Sequence, residues 1–86
     1  MKIAVRIYLS DPSKVLAVNE ALEGLAAEDE DSAVVARLRL FSGLTVEETA
    51  DALNISRATA FREWAYAKAW LTTALRDLEN RTASMP

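Results

Sequence analysis

The run TVEETADALNISRATAFREW, Thr45 to Trp64, holds two helix starts and one helix stop. Thr45 and Glu48 stand at capping-box spacing: the Thr hydroxyl can accept from the Glu48 amide while the Glu48 carboxylate reaches back to the Thr45 amide. Val46, Ala50 and Leu53 then keep one face of a short helix apolar. Asn54-Ile55-Ser56 ends it, because Asn tolerates the left-handed conformation and Ser56 is a good N-cap for the next helix. A short capped helix, a three-residue turn with an apolar centre, and a second helix opening with Ser56, Arg57 and Thr59 spell a helix-turn-helix. In that arrangement Ile55 pins the turn into the core and the second helix projects its first turns toward a DNA major groove.

C-terminal to this run nothing breaks the helix from Arg57 to about Leu78, so the spacing predicts roughly 22 residues, about 33 Å at 1.5 Å per residue. Ala60, Trp64, Ala67 and Leu71 form its apolar stripe, expected to dock on the second and third helices. The other side carries Ala58, Arg62, Ala65 and Ala69 with Tyr66 beside them, small side chains around one long bidentate donor.

On the N-terminal side, Asp11-Pro12 reads as N-cap and first helical position. Val15, Val18, Leu22 and Leu25 then stripe a first helix that ends in the acidic run Glu28 to Asp31, read as a connector. Asp31 or Ser32 caps a short second helix in which Val34, Val35, Leu38 and Phe41 are expected to face the core, with Gly43 closing it in the left-handed conformation. Ile3 to Leu9 (IAVRIYL) has strand-like composition without a partner strand. Three readings stay open for it: an extended arm, an edge pairing with another copy, or a linker. The expected organisation is an arm or linker over 1–10, an all-α, four-helix bundle-like domain over 11–80 with a long C-terminal recognition helix, and a flexible tail over 81–86.

Composition narrows the function. The chain has 86 residues, the size of one small domain. It contains neither Cys nor His, which removes disulfides, thiolate nucleophiles, the common zinc sites and an imidazole base. No carboxylate pair, Ser or Tyr has an evident activating partner, so neither a catalytic residue nor a metal or cofactor site is expected. Lacking a membrane-length apolar run and a signal-peptide core, the chain reads as cytoplasmic, with no membrane partner. The net charge of -3 hides an asymmetry: residues 17–53 carry -7, whereas residues 54–86 carry +2 and residues 1–16 another +2. An acidic body can thus present a locally basic face.

That face would use Arg62 as its reader, because an Arg can donate two hydrogen bonds to guanine O6 and N7, worth about 1–3 kcal/mol of discrimination, and small neighbours let the backbone approach the base edges. Ser56, Arg57 and Thr59 lie where free amides and the helix dipole favour a phosphate. Arg57 could take either phosphate or base. Phe61, beside the apolar stripe, could be half-buried core or touch a thymine methyl.

The stretch LRLFSGLTVEETADALNISRATAFREWAYAKAWL, Leu38 to Leu71, resembles region 4 of bacterial RNA polymerase sigma factors, especially the extracytoplasmic-function (ECF) group, and the likeness extends upstream to Ala21-Leu22-Glu23-Gly24-Leu25. The resemblance implies a four-helix domain that reads the promoter −35 element while its body holds a flap of the polymerase β subunit, with an anti-sigma factor as a further partner. By position it implies DNA contacts at Arg39, Phe61, Arg62 and Tyr66. The family often has basic residues where this chain has Phe61 and Tyr66, and a larger aliphatic in place of Ala60. Fewer phosphate contacts imply low intrinsic affinity and a shallow salt dependence, tolerable if polymerase supplies binding energy through linked sites. Region 2, which melts and holds the −10 element, has no counterpart here, so a fragment of a sigma factor and a stand-alone relative both stay open. Two other functions compete: a protein-interaction module using the acidic half and the Trp64/Trp70 helix, and a dimeric helix-turn-helix regulator.

Overall fold

The computed structural model describes residues 12–83. The expected arm over 1–10, the Asp11 cap and the last three residues of the tail lie outside them. Four helices follow in order: α1 (Pro12–Glu28), α2 (Glu30–Leu40), α3 (Val46–Leu53) and α4 (Arg57–Ala83). Among the described residues there is no strand, and the all-α architecture predicted from the pattern is the one observed. α4 runs 27 residues, about 40 Å, past the Leu78 end expected from the sequence and through Arg81, Thr82 and Ala83.

α4 is the spine on which α1, α2 and α3 all pack. One core cluster joins Val18, Leu22 and Leu25 of α1, Ala33 and Ala36 of α2, and Ala67, Leu71 and Leu75 of α4. A smaller one joins Val46 and Ala50 of α3 to Ala60 of α4, with Ile55 and Trp64 against it. Trp64 borders both clusters. The α4 stripe is therefore buried as its spacing predicts, but it packs on α1 as well as on α2 and α3. Gly24 allows this closeness: a Cβ there would sit 2.8 Å from Cη2 of Trp70, inside any ordinary carbon contact.

α2 corrects the expectation in three respects. Its N-cap is Asp29, not Asp31 or Ser32: Asp29 has an extended backbone, and its Oδ1 accepts from the Ser32 amide at 3.2 Å. The acidic run is consequently no connector, since only Asp29 separates α1 from α2. The buried face is Ser32, Ala33, Val35 and Ala36, whereas Val34 and Phe41 are exposed and Leu38 is half-buried. Apolar residues surround much of α2, and the side bearing Ser32, Ala33 and Ala36, with Val35 its one larger side chain, lets the backbone approach α1 and α4 closely, which leaves Val34 and Phe41 outside.

The turns behave as their residues dictate. Gly43 has φ +70°, and the Leu44 amide reaches back to the Leu38 carbonyl at 3.2 Å. Thr45 and Glu48 form both halves of the capping box, at 3.0 Å from the Glu48 amide to Thr45 Oγ1 and 2.8 Å from the Thr45 amide to Glu48 Oε1. Thr49, fully buried, satisfies its hydroxyl by donating to the Thr45 carbonyl at 2.8 Å. Asn54 caps α3 at φ 56°, ψ 46°, and its amide bonds to the carbonyls of Ala50 and Asp51.

Candidate nucleic-acid interface

The turn Asn54-Ile55-Ser56 aims the start of α4. The left-handed Asn54 reverses the chain, the Ile55 amide closes on the Ala50 carbonyl at 3.0 Å, and Ile55 packs against the α3–α4 core. Ser56 caps α4: its Oγ accepts from the Thr59 amide at 3.1 Å and its hydroxyl proton goes to Thr59 Oγ1 at 2.9 Å. The Ala60 amide bonds to the Ser56 carbonyl at 3.0 Å. Helix geometry leaves the amides of Arg57 and Ala58 without intrahelical acceptors, and Thr59 keeps its own hydroxyl proton to donate onward.

Along the first turns of α4, from Ala58 to Ala69, Ala58, Phe61, Arg62, Ala65, Tyr66 and Ala69 are all exposed. Phe61, which the sequence left divided between core and surface, keeps half of its area in solvent, and Tyr66 keeps 43%. Six of the seven predicted site residues, Ser56, Arg57, Thr59, Phe61, Arg62 and Tyr66, thus share the first three turns of α4 and its cap, with only Thr59 among them half-buried. The acidic first turn that would oppose phosphate is absent from α4, and Arg57 and Arg62 are exposed cations there.

Arg39 stands apart from this group. Its Nη1 donates to the Leu44 carbonyl at 2.6 Å, and its guanidinium carbon lies 4.9 Å from the centroid of Trp64. Trp64 is two residues from Arg62, some 200° around the helix, so Arg39 underlies the side of α4 away from Arg62. Lys68 Nζ lies 5.6 Å from the centroid of the same indole. Both separations fall within cation–π reach, worth about 0.5–1 kcal/mol each where solvent has access. The buried Arg39 Nε has no hydrogen-bond partner. In this conformation the guanidinium closes the α2–α3 loop and braces α4, which its place in the sequence did not announce.

A second polar tie was likewise not legible. Ser32 of α2 is fully buried, and its hydroxyl lies in hydrogen-bond contact with Glu63 of α4 and, at 3.0 Å, with Asp29 Oδ2. Glu63 reads in the sequence as one more helix-surface acid. Only the fold brings it to a serine 31 positions earlier. Among the described residues no group of acidic side chains is arranged to hold a metal ion, and no helix is long and apolar enough to cross a membrane.

A capped short helix, a left-handed turn and a projecting second helix on a three-helix support define a helix-turn-helix domain. Residues 2–77 match the family model described as ECF sigma factor. The chain belongs to the ECF sigma factor family, and its helix-turn-helix corresponds to region 4, the C-terminal part of such factors. Membership gives it a sigma-factor role in transcription initiation, with RNA polymerase and promoter DNA as the family's partners; the family regulates transcription and is not an enzyme class. No curated protein and no solved structure matches the chain.

Proposed function

We propose that this domain reads the promoter −35 element through the first three turns of α4. The observation that carries the reading is Arg62, exposed and flanked on its own face by the small, exposed Ala58, Ala65 and Ala69. The alanines let the helix come close to a groove, and Arg62, the one charged side chain among them, is the bidentate donor suited to guanine. The free amides of Arg57 and Ala58, the Arg57 guanidinium and the Thr59 hydroxyl supply phosphate contacts that fix register. Phe61, half in solvent, is placed to meet a thymine methyl, and Tyr66 extends the face by one turn. Arg39 serves this reading indirectly, by bracing Trp64.

A second surface supports docking on polymerase. Val34, Leu38 and Phe41 follow one another at helical spacing on the outer side of α2, and Val34 and Phe41 are exposed. An apolar row of this kind suits the β-subunit flap that region 4 is expected to hold, and an anti-sigma factor would compete for it. The acidic body, carrying -7 over residues 17–53, keeps DNA on the α4 side.

Selection from random duplexes at low and moderate salt tests the reading. The wild-type chain should enrich a short motif, and Arg62→Ala should erase the preference at one guanine, a loss of about 1–3 kcal/mol in discrimination, with stability changed by no more than about 0.5 kcal/mol, as for an exposed side chain. A preference that survives Arg62→Ala overturns the assignment of Arg62. Absence of enrichment even at low salt overturns autonomous DNA reading.

A further inference from the structure

The DNA face of α4 is useful only if the helix is rotated correctly about its own axis. The later turns fix that rotation through Ala67, Leu71 and Leu75, but the apolar packing around the first turns is thinner. The α3–α4 core is built from Val46, Ala50 and Ala60, side chains too small to interlock deeply. Trp64 is only half-buried, between two core clusters. A directional contact beside the reading face is therefore worth more here than in a helix packed by large side chains.

Ser32 and Glu63 supply one. Ser32 has no exposed surface, so its hydroxyl must find its acceptor inside the protein. It has one proton to give and two carboxylates within reach. Asp29 already receives the Ser32 amide through Oδ1 as the N-cap of α2, while Glu63 has no other recorded donor among the described residues. The hydroxyl therefore serves Glu63, and Asp29 fixes the serine from behind by capping the turn that carries it. Glu63 lies next to Arg62 in sequence, so pinning its carboxylate to α2 sets the bearing of the Arg62 side chain about 100° away.

We infer that Glu63 is a positioning residue for DNA recognition: it accepts a hydrogen bond from buried Ser32 and thereby holds α4 at the rotation that presents Arg62. The inference rests on the reading of α4 as the DNA helix. It also explains an acid beside a DNA face, where a carboxylate weakens attraction to phosphate. Removing the charge and removing the hydrogen bond then have separable consequences. Glu63→Gln loses the charge and keeps an oxygen acceptor for Ser32. Glu63→Ala loses both. Ser32→Ala removes the donor and leaves the charge.

The experiment takes the full chain and these three variants through the duplex selection, and measures the orientation of α4 relative to α2 without DNA by NMR residual dipolar couplings. Non-specific affinity should rise in Glu63→Gln and Glu63→Ala alike. The ratio of specific to non-specific binding should fall roughly tenfold in Ser32→Ala and Glu63→Ala, within what one bidentate base contact carries, and should be restored by Glu63→Gln. The couplings should report a rotated α4 in the same two variants only. Unchanged α4 orientation together with unchanged preference in Ser32→Ala and Glu63→Ala overturns the inference. If the wild-type chain selects no motif, the DNA reading falls, and the couplings alone decide whether Ser32 and Glu63 set the rotation.

Discussion

The two ends of α4 are held by different physics. Its later turns, through Ala67, Leu71 and Leu75, lie against Val18, Leu22 and Leu25 in a cluster with several fully buried large aliphatic side chains. Its first turns rest on Val46, Ala50 and Ala60, with Ile55 and Trp64 against them, and are held beside that by hydrogen bonds: the Ser56 cap, the Ser32–Glu63 tie and, in the supporting α3, the capping box at Thr45 and the left-handed cap at Asn54. Burial is non-directional and scales with area, so the body end stabilises the domain. Hydrogen bonds contribute only about 0.5–1.5 kcal/mol each net, but they fix direction, so the turn end sets where the exposed Arg62 face points. Under the proposed reading, in which α4 enters a groove, this division keeps the leading turns slim and puts the anchorage elsewhere.

The sharpest way to break that comparison is to empty the body core. Leu22→Ala should cost about 2–5 kcal/mol by urea denaturation, since Leu22 is fully buried and its removal leaves a cavity between α1 and α4. A loss comparable to that of a surface residue would show that the α1–α4 core is not the main source of stability. Next in size is Thr45→Ala, which removes the acceptor for the Glu48 amide and should cost about 1 kcal/mol. Hydrogen exchange sharpens the contrast: amides of α3 should exchange faster in Thr45→Ala while those of α1 hardly change, whereas Leu22→Ala should accelerate all four helices. The smallest effect is expected for a glycine at the turn itself. Asn54→Gly keeps the left-handed backbone at φ 56° accessible, so stability should move by only a few tenths of a kcal/mol, while Asn54→Ala should lose about 1 kcal/mol or more, as a Cβ-bearing residue without Asn's local hydrogen bonding resists that region. Equal melting temperatures for the two Asn54 variants would remove the left-handed turn as a determinant of the helix-turn-helix.

Most of the turn end was legible in the sequence because its determinants are local. A capping box acts over three residues, an Asn at a left-handed cap acts on its own backbone, and Ser56 reaches only to Thr59. The exposed face of Arg62 with its alanines also follows from helical spacing once the stripe Ala60, Trp64, Ala67 and Leu71 is recognised. α2 was harder to read. Its apolar residues do not form a single stripe, so the pattern placed Val34, Leu38 and Phe41 inward together with Val35, of which only Val35 is fully buried, and the run of acids pointed to Asp31 or Ser32 as the cap instead of Asp29. The inward contacts of Arg39, which the resemblance offers to DNA, and of Glu63 were hidden for a related reason: each partner, the Leu44 carbonyl and Trp64 for one and Ser32 for the other, is unremarkable in its own segment.

The sequence alone thus determined the four helical segments, the helix-turn-helix and the chemical character of the exposed Arg62 face, because these depend on interactions spanning a few residues and on a period set by backbone geometry. Only the tertiary structure decided which side of α2 is buried, that Arg39 turns inward beneath Trp64, and that Ser32 holds Glu63. Those outcomes depend on how closely helices distant in sequence can approach, which is fixed by side-chain volumes at Gly24, Ala33 and Ala36 acting together.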